Sequence, residues 1–144
     1  MTDGDVSDRY GLQRFVDAQA RVFEQVCSEL REGRKRSHWM WFIFPQIKGL
    51  GSSPMAMRFA ISSLAEARAY LDHAVLGPRL RECCEIVVGL AGRSVDEIFG
   101  YPDDLKFHSS ITLFAKAAVE NRVFLDALER YFGGELDRAT VERL

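Results

Sequence analysis

Leu12, Phe15, Val16, Val22, Phe23, Val26, Cys27 and Leu30 fall on one face of a helix, and Asp17, Arg21, Glu24 and Arg31 fall on the other. That 3.6-residue spacing marks an amphipathic helix laid on a core. It recurs along the chain, and no stretch alternates apolar and polar residues as a half-buried strand does. Such a chain must bury helix against helix. The reading is an all-α fold, a single compact domain of about six or seven helices over residues 12–144, after a flexible arm at residues 1–11.

The first helix ends at Gly33, a natural C-terminal stop. It is the longest amphipathic helix legible here and is read as the scaffold of the core. Ser63 and Glu66 have capping-box spacing and open a helix through Leu71. Pro78 suits a first helical turn, where its missing N–H costs nothing. The helix that follows turns Leu80, Cys83, Cys84, Val87, Leu90 and Ala91 inward and stops at Gly92. Ser94 and Glu97 repeat the capping box before a short turn to Phe99, which Gly100-Tyr101-Pro102 breaks. Asp103 and Asp104 sit where acidic residues favour a helix N-terminus. Phe107, Ile111, Phe114 and Ala118 then share one face, and Phe124, Leu125, Leu128 and Tyr131 mark a last helix from Asn121. The charged tail after Gly134 reads as one exposed turn or a frayed end.

One stretch departs from this pattern. Residues 33–53, GRKRSHWMWFIFPQIKGLGSS, open on three basic residues, Arg34, Lys35 and Arg36, and carry both tryptophans and a glycine-bearing loop. The run His38–Phe44 fits a buried strand or two helical turns equally well on pattern alone. With helices on both sides, a short buried helical or irregular segment is favoured. Gln46–Pro54 reads as a loop, since it carries two glycines, two serines and a proline.

Composition limits the function classes. The net charge is −2 and the pI near 5.9, against bulk nucleic-acid binding. No apolar run is long enough to span a membrane, and the N-terminus MTDGDVSDRYG is acidic, unlike a secretory leader; the expected location is the cytoplasm. Three cysteines, two of them adjacent, form neither a disulfide framework nor a zinc pattern. They read as buried thiols, and no metal or cofactor is indicated.

Two groups of residues could carry chemistry. Lys48, Gly49, Gly51 and Ser52 have the elements of an anion cradle: glycine backbone N–H groups, a hydroxyl and a cation. They match neither a P-loop nor a dinucleotide fingerprint, so a plain turn remains the other reading. Arg36, His38 and Trp39 add an arginine fork and an aromatic face, which can hold a base and its phosphates, or else form a solvated helix end and core packing. In the second group, Asp104 and His108 lie four apart, so a helix would put them on one face and let a carboxylate orient an imidazole for acid–base work. Lys106 stands between them as a further ligand-binding candidate. Capping and surface pairing account for the same residues.

The stretch from Gly33 to Gly51 resembles the domain-of-unknown-function family 1810. So do Phe59-Ala60-Ile61, Ala69-Tyr70-Leu71, Val75-Leu76-Gly77 and Asp103-Asp104-Leu105-Lys106, with Ser109-Ser110 and Thr112-Leu113-Phe114. The matching pieces run from about Leu12 to Phe132. The resemblance implies a helical bacterial protein and brings no activity or catalytic residue. Some plant relatives carry a calpastatin label, but calpastatin-type inhibitors are disordered and this composition is that of a folded core. A more distant analogy is to NADAR-type proteins associated with NAD and ADP-ribose chemistry. The resulting expectation is a nucleotide- or phosphosugar-binding protein acting on ADP-ribose-type ligands, its hallmark segments meeting across one pocket. The alternative is a non-catalytic protein-interaction module using residues 34–53.

Overall fold

The computed structural model describes residues 8–144 and is all-helical. Its helices, in chain order, are α1 (Gln13–Ala20), α2 (Phe23–Arg31), α3 (Met40–Ile43), α4 (Pro54–Arg58), α5 (Leu64–Asp72), α6 (Leu76–Gly89), α7 (Val95–Phe99), α8 (Asp103–Ala117), α9 (Arg122–Phe132) and α10 (Arg138–Val141). Ten helices among the described residues exceed the expected six or seven, for three local reasons.

The helix expected from Leu12 to Gly33 is two helices, broken at Arg21 and Val22. The two parts serve different partners: α1 packs on α3, and α2 packs on α6. Gln19, at the end of α1, is buried and donates to Phe42 O (2.7 Å) and Tyr70 Oη (3.0 Å). Pro54, read as loop, is the first residue of α4, with Ser53 Oγ accepting from Ala56 N–H. The tail is neither exposed nor frayed throughout. Asp137 caps α10, and Thr140 is fully buried where α10 packs on α8.

The scaffold role falls on α8 rather than on the first helix. Its buried residues run all round, from Phe107 through Ser109–Ala115 to Ala117, so the single apolar face read from the sequence understates it. Small residues at Ser109, Ser110, Thr112, Ala115 and Ala117 let α3, α5, α7, α9 and α10 approach from several sides. Ser110 Oγ is the one buried side-chain polar atom without a hydrogen-bond partner among the described residues. A buried hydroxyl with no partner costs stability, and alanine is the better helix former. Ser110→Ala should therefore stabilise the protein by about 1 kcal/mol, read as a higher denaturation midpoint.

Both capping signals are real. Ser94 and Glu97 form the full reciprocal box. Ser63 Oγ accepts from Glu66 N–H, but the Glu66 carboxylate turns to Ser62 and to Arg14 (3.0 Å). Arg14 also donates to the carbonyls of Tyr10, Gly11, Arg58 and Ala60, tying the start of α1 to the segment between α4 and α5.

The run His38–Phe44 resolves as the single turn α3. Its phenylalanines enter two aromatic clusters. Phe42 meets Phe59 at 5.4 Å, and Phe59 in turn meets Phe15 at 5.5 Å. Phe44 meets Phe107 edge-on at 5.0 Å, and Phe107 stacks on Phe99 at 4.6 Å. An isolated parallel bridge joins Ile47 to Ile61, with Ile61 N–H to Gln46 O and Lys48 N–H to Ile61 O, both at 2.8 Å. This bridge anchors the entrance to the glycine loop.

Cys27, Cys83 and Cys84 are free and buried. Burial pushes the Cys84 thiol well up from its ordinary value. Residues 1–7, most of the arm expected at 1–11, lie outside the described residues. Among the described residues no helix is long and apolar enough to cross a membrane.

Candidate functional site

Glu29, on α2, organises the start of the central stretch. It is buried, and its Oε1 accepts from Arg36 N–H (2.7 Å), Ser37 N–H (3.0 Å) and Trp39 Nε1–H (3.0 Å). Its Oε2 accepts from Ser37 Oγ and from Gln25 Nε2 (2.9 Å). Desolvation pushes this carboxyl up, but the hydrogen bonds from Ser37, Arg36 and Gln25 prevail and hold it at about 2. A carboxylate so fully satisfied stays ionised inside the core.

This anchor decides where the aromatic residues go. Trp39 is 1% exposed, with its N–H committed to Glu29 and Lys35 Nζ over its ring at 5.1 Å. Its ring is enclosed and offers no open face to a base. Trp41 is the half-buried tryptophan, and Lys106 Nζ lies over its ring at 5.3 Å. Arg36 is an exposed side chain paired with Glu32, and His38 is exposed.

The two hallmark segments do touch. Lys35 Nζ pairs with Asp103 Oδ2 at 2.8 Å, both side chains largely buried, and Lys106 Nζ lies 3.6 Å from Asp103 Oδ1. Beyond this seam a cleft of about 390 Å³ opens between the glycine loop, α4, the first turns of α8 and the start of α10. Gly51, Ser52, Ser53 and Gln46 form one wall. Pro102, Leu105, Lys106 and Ser109 form the second, and Asp137 and Ala139 the third. Gly51 lies so close to α4 that a Cβ there would stand 2.7 Å from the Ala56 Cβ, so the loop needs glycine to lie along the helix.

Of the candidates read from the sequence, Gly51, Ser52 and Lys106 line this cleft; Arg36, His38, Trp39, Lys48 and Gly49 do not. Gly49, at φ +100°, faces Arg143, and it lines a void of only about 10 Å³ beneath the loop, room for one water. Lys48 is exposed, its N–H held by Ile61.

Among the described residues no hydrogen bond or ion pair joins Asp104 to His108. The Asp104 carboxylate accepts from Leu105 N–H, while His108 stacks on Phe132 at 3.8 Å and its Nε2 meets Glu135 O at 2.7 Å. Helical spacing allows an i, i+4 pair but does not compel it. Here the ring lies flat on an aromatic of α9, a packed contact favoured for such pairs. These contacts hold the imidazole against Phe132 of α9.

Asp137 is a charged cleft residue that the sequence does not mark as a site candidate. Asp137-x-x-Thr140 has N-cap spacing, a signal that α10 forms. Nothing local says that this cap meets α8. A larger open groove, about 600 Å³, lies between α6 and α9 and is lined by Arg81, Glu85, Arg122 and Asp126 among others. It holds none of the residues the sequence singles out, so the smaller cleft is the candidate site.

A family model described as protein of unknown function (DUF1810) matches residues 9–144. The crystal structure of a conserved hypothetical protein from Mycobacterium tuberculosis is similar at 60% identity and a TM-score of 0.91, covering 92% of this chain and 95% of that one. No curated protein matches the chain.

Proposed function

This chain belongs to the DUF1810 family of unknown function, and on that premise we propose that it binds a small phosphorylated molecule, a nucleotide or phosphosugar, in the cleft beside α8. The supporting observation is the convergence of Lys106, Ser52 and Gly51 on one concavity of about 390 Å³. That volume falls in the range of small-molecule sites. The lysine supplies charge, the loop supplies donors, and Leu50, Pro102 and Leu105 supply apolar surface for the rest of the ligand. ADP-ribose-type ligands belong to this chemical class. The reading is one of binding, with no catalytic role for Asp104 or His108. Three buried free thiols favour a reducing compartment, the cytoplasm.

A thermal-shift series with ADP-ribose, NAD, mononucleotides, phosphosugars and inorganic phosphate tests it. A ligand at about 100 times its dissociation constant adds roughly 2.7 kcal/mol, several degrees for a domain this size. Lys106→Ala should abolish the shift. It should barely move the unliganded midpoint, because partly exposed ion pairs contribute about 0–1 kcal/mol. If no ligand shifts the midpoint, the interaction-module reading takes over. In its favour, Arg34, Arg36 and His38 are exposed, and Tyr101, beside the cleft, is 79% exposed.

A further inference from the structure

The cleft holds, besides its cation, a carboxylate whose two oxygens do different work. Asp137 Oδ2 is used up within the protein: it accepts from Ser109 Oγ (2.9 Å), Thr140 N–H (3.2 Å) and Thr140 Oγ1 (2.5 Å). The Asp137 backbone N–H donates to Thr112 Oγ1 at 2.9 Å, so the residue is held at both its main chain and its side chain. Oδ1 has no hydrogen-bond partner among the described residues and is not a buried orphan, and Asp137 lines the cleft. Among the described residues, then, Oδ1 is an unused acceptor on a carboxylate whose position is already fixed.

A free carboxylate oxygen repels a second anion and accepts from a donor. Lys106 takes the opposite role, at another wall of the same cleft. Their neighbours Gln46 and Ser52 are neutral groups that both donate and accept. Hydroxyl groups on a ligand match that combination better than an ammonium, which can only donate. We propose that Asp137 is a specificity-determining residue that accepts hydrogen bonds from ligand hydroxyls, so that the cleft selects a polyhydroxylated monophosphate, of the sugar-phosphate class, over a bare or alkyl phosphate. This rests on the binding reading above and narrows it.

Titration calorimetry with inorganic phosphate, methyl phosphate and ribose 5-phosphate separates the two. Ribose 5-phosphate should bind at least about tenfold more tightly than methyl phosphate, the typical effect of a hydrogen bond to a charged group. Asp137→Asn keeps an oxygen for the cap, since asparagine caps as well as aspartate, and turns a donor towards the cleft. It replaces a charge-assisted hydrogen bond with a neutral one, so it should cut that preference sharply, while methyl phosphate, relieved of a nearby negative charge, should bind no more weakly. Asp137→Ser keeps a capping hydroxyl and removes the second oxygen; it should give the same loss and serves if the asparagine variant does not fold. Equal binding of all three ligands by the unaltered protein would overturn the hydroxyl selection and leave the phosphate site standing. Equal loss of methyl phosphate and ribose 5-phosphate in folded Asp137 variants would make Asp137 structural only. Binding of none of the three would overturn the site itself.

Discussion

Glu29→Ala should lower the denaturation midpoint by roughly 10–15 °C, a loss of about 3–5 kcal/mol. The substitution removes the acceptor for Arg36 N–H, Ser37 N–H and Trp39 Nε1–H at once, the first two part-buried and the third fully buried. Each buried donor left without a partner costs about 1–3 kcal/mol. Glu29→Gln should do less damage, about 2–3 kcal/mol. Its carbonyl oxygen can still serve the three donors that Oε1 serves, and only the Oε2 contacts to Ser37 and Gln25 must rearrange.

The two variants also differ in pH response. In the folded protein Glu29 titrates at about 2 against an ordinary 4.5. Its ionised form therefore contributes stability in full above about pH 4.5. That contribution falls away as pH drops towards about 2, and it amounts to about 3 kcal/mol at roughly 1.4 kcal/mol per unit. Glu29→Gln should abolish this part of the acid limb, seen as a flatter plot of midpoint against pH between those limits. Wild-type stability in both variants would mean that the loop entering α3 is held by packing alone.

Gly77→Ala should be the second severe substitution, costing about 3 kcal/mol or more. Gly77 lies in the first turn of α6, where the chain doubles back from α5. A Cβ on it would stand 2.0 Å from Leu71 O and 2.9 Å from Leu71 C. Both are backbone atoms, so no side chain can rotate away, and the α5–α6 corner itself must open. His73 links the two helices at that corner, its Nδ1 accepting from Val75 and Leu76 N–H. Gly89, in the last turn of the same helix, is the control. A Cβ there meets nothing within 4 Å, and Gly89→Ala should be neutral or stabilise by up to about 1 kcal/mol. Urea denaturation of both variants separates a steric clash from a change in helix propensity. Equal midpoints would show that the corner relaxes without cost.

The class of fold, most of the helices and several of their ends are legible in the order of the amino acids alone. Apolar spacing, the Ser63 and Ser94 caps and the acidic first turn of α8 are relations among residues three or four apart, so they act before any tertiary contact forms. The break between α1 and α2 was not legible, because it follows from two packing partners, α3 and α6, that lie elsewhere in the chain. The same holds for α8. Its serines and threonine look polar in sequence, yet they become core where five other helices converge.

The candidate site divides in the same way. The glycine loop and Lys106 were marked by composition and now share a cleft. Trp39 looked available and is enclosed, because Glu29, ten residues earlier, fixes its N–H. Asp104 and His108 looked paired by spacing, and Phe132 and Glu135, both from beyond α8, took the imidazole instead. Asp137 gave no sign of belonging to a site, since only folding carries it 28 positions back to Ser109. Local periodicity writes helices into a sequence. Which polar atoms meet is set by how those helices pack, and that depends on shape and burial summed over the whole chain.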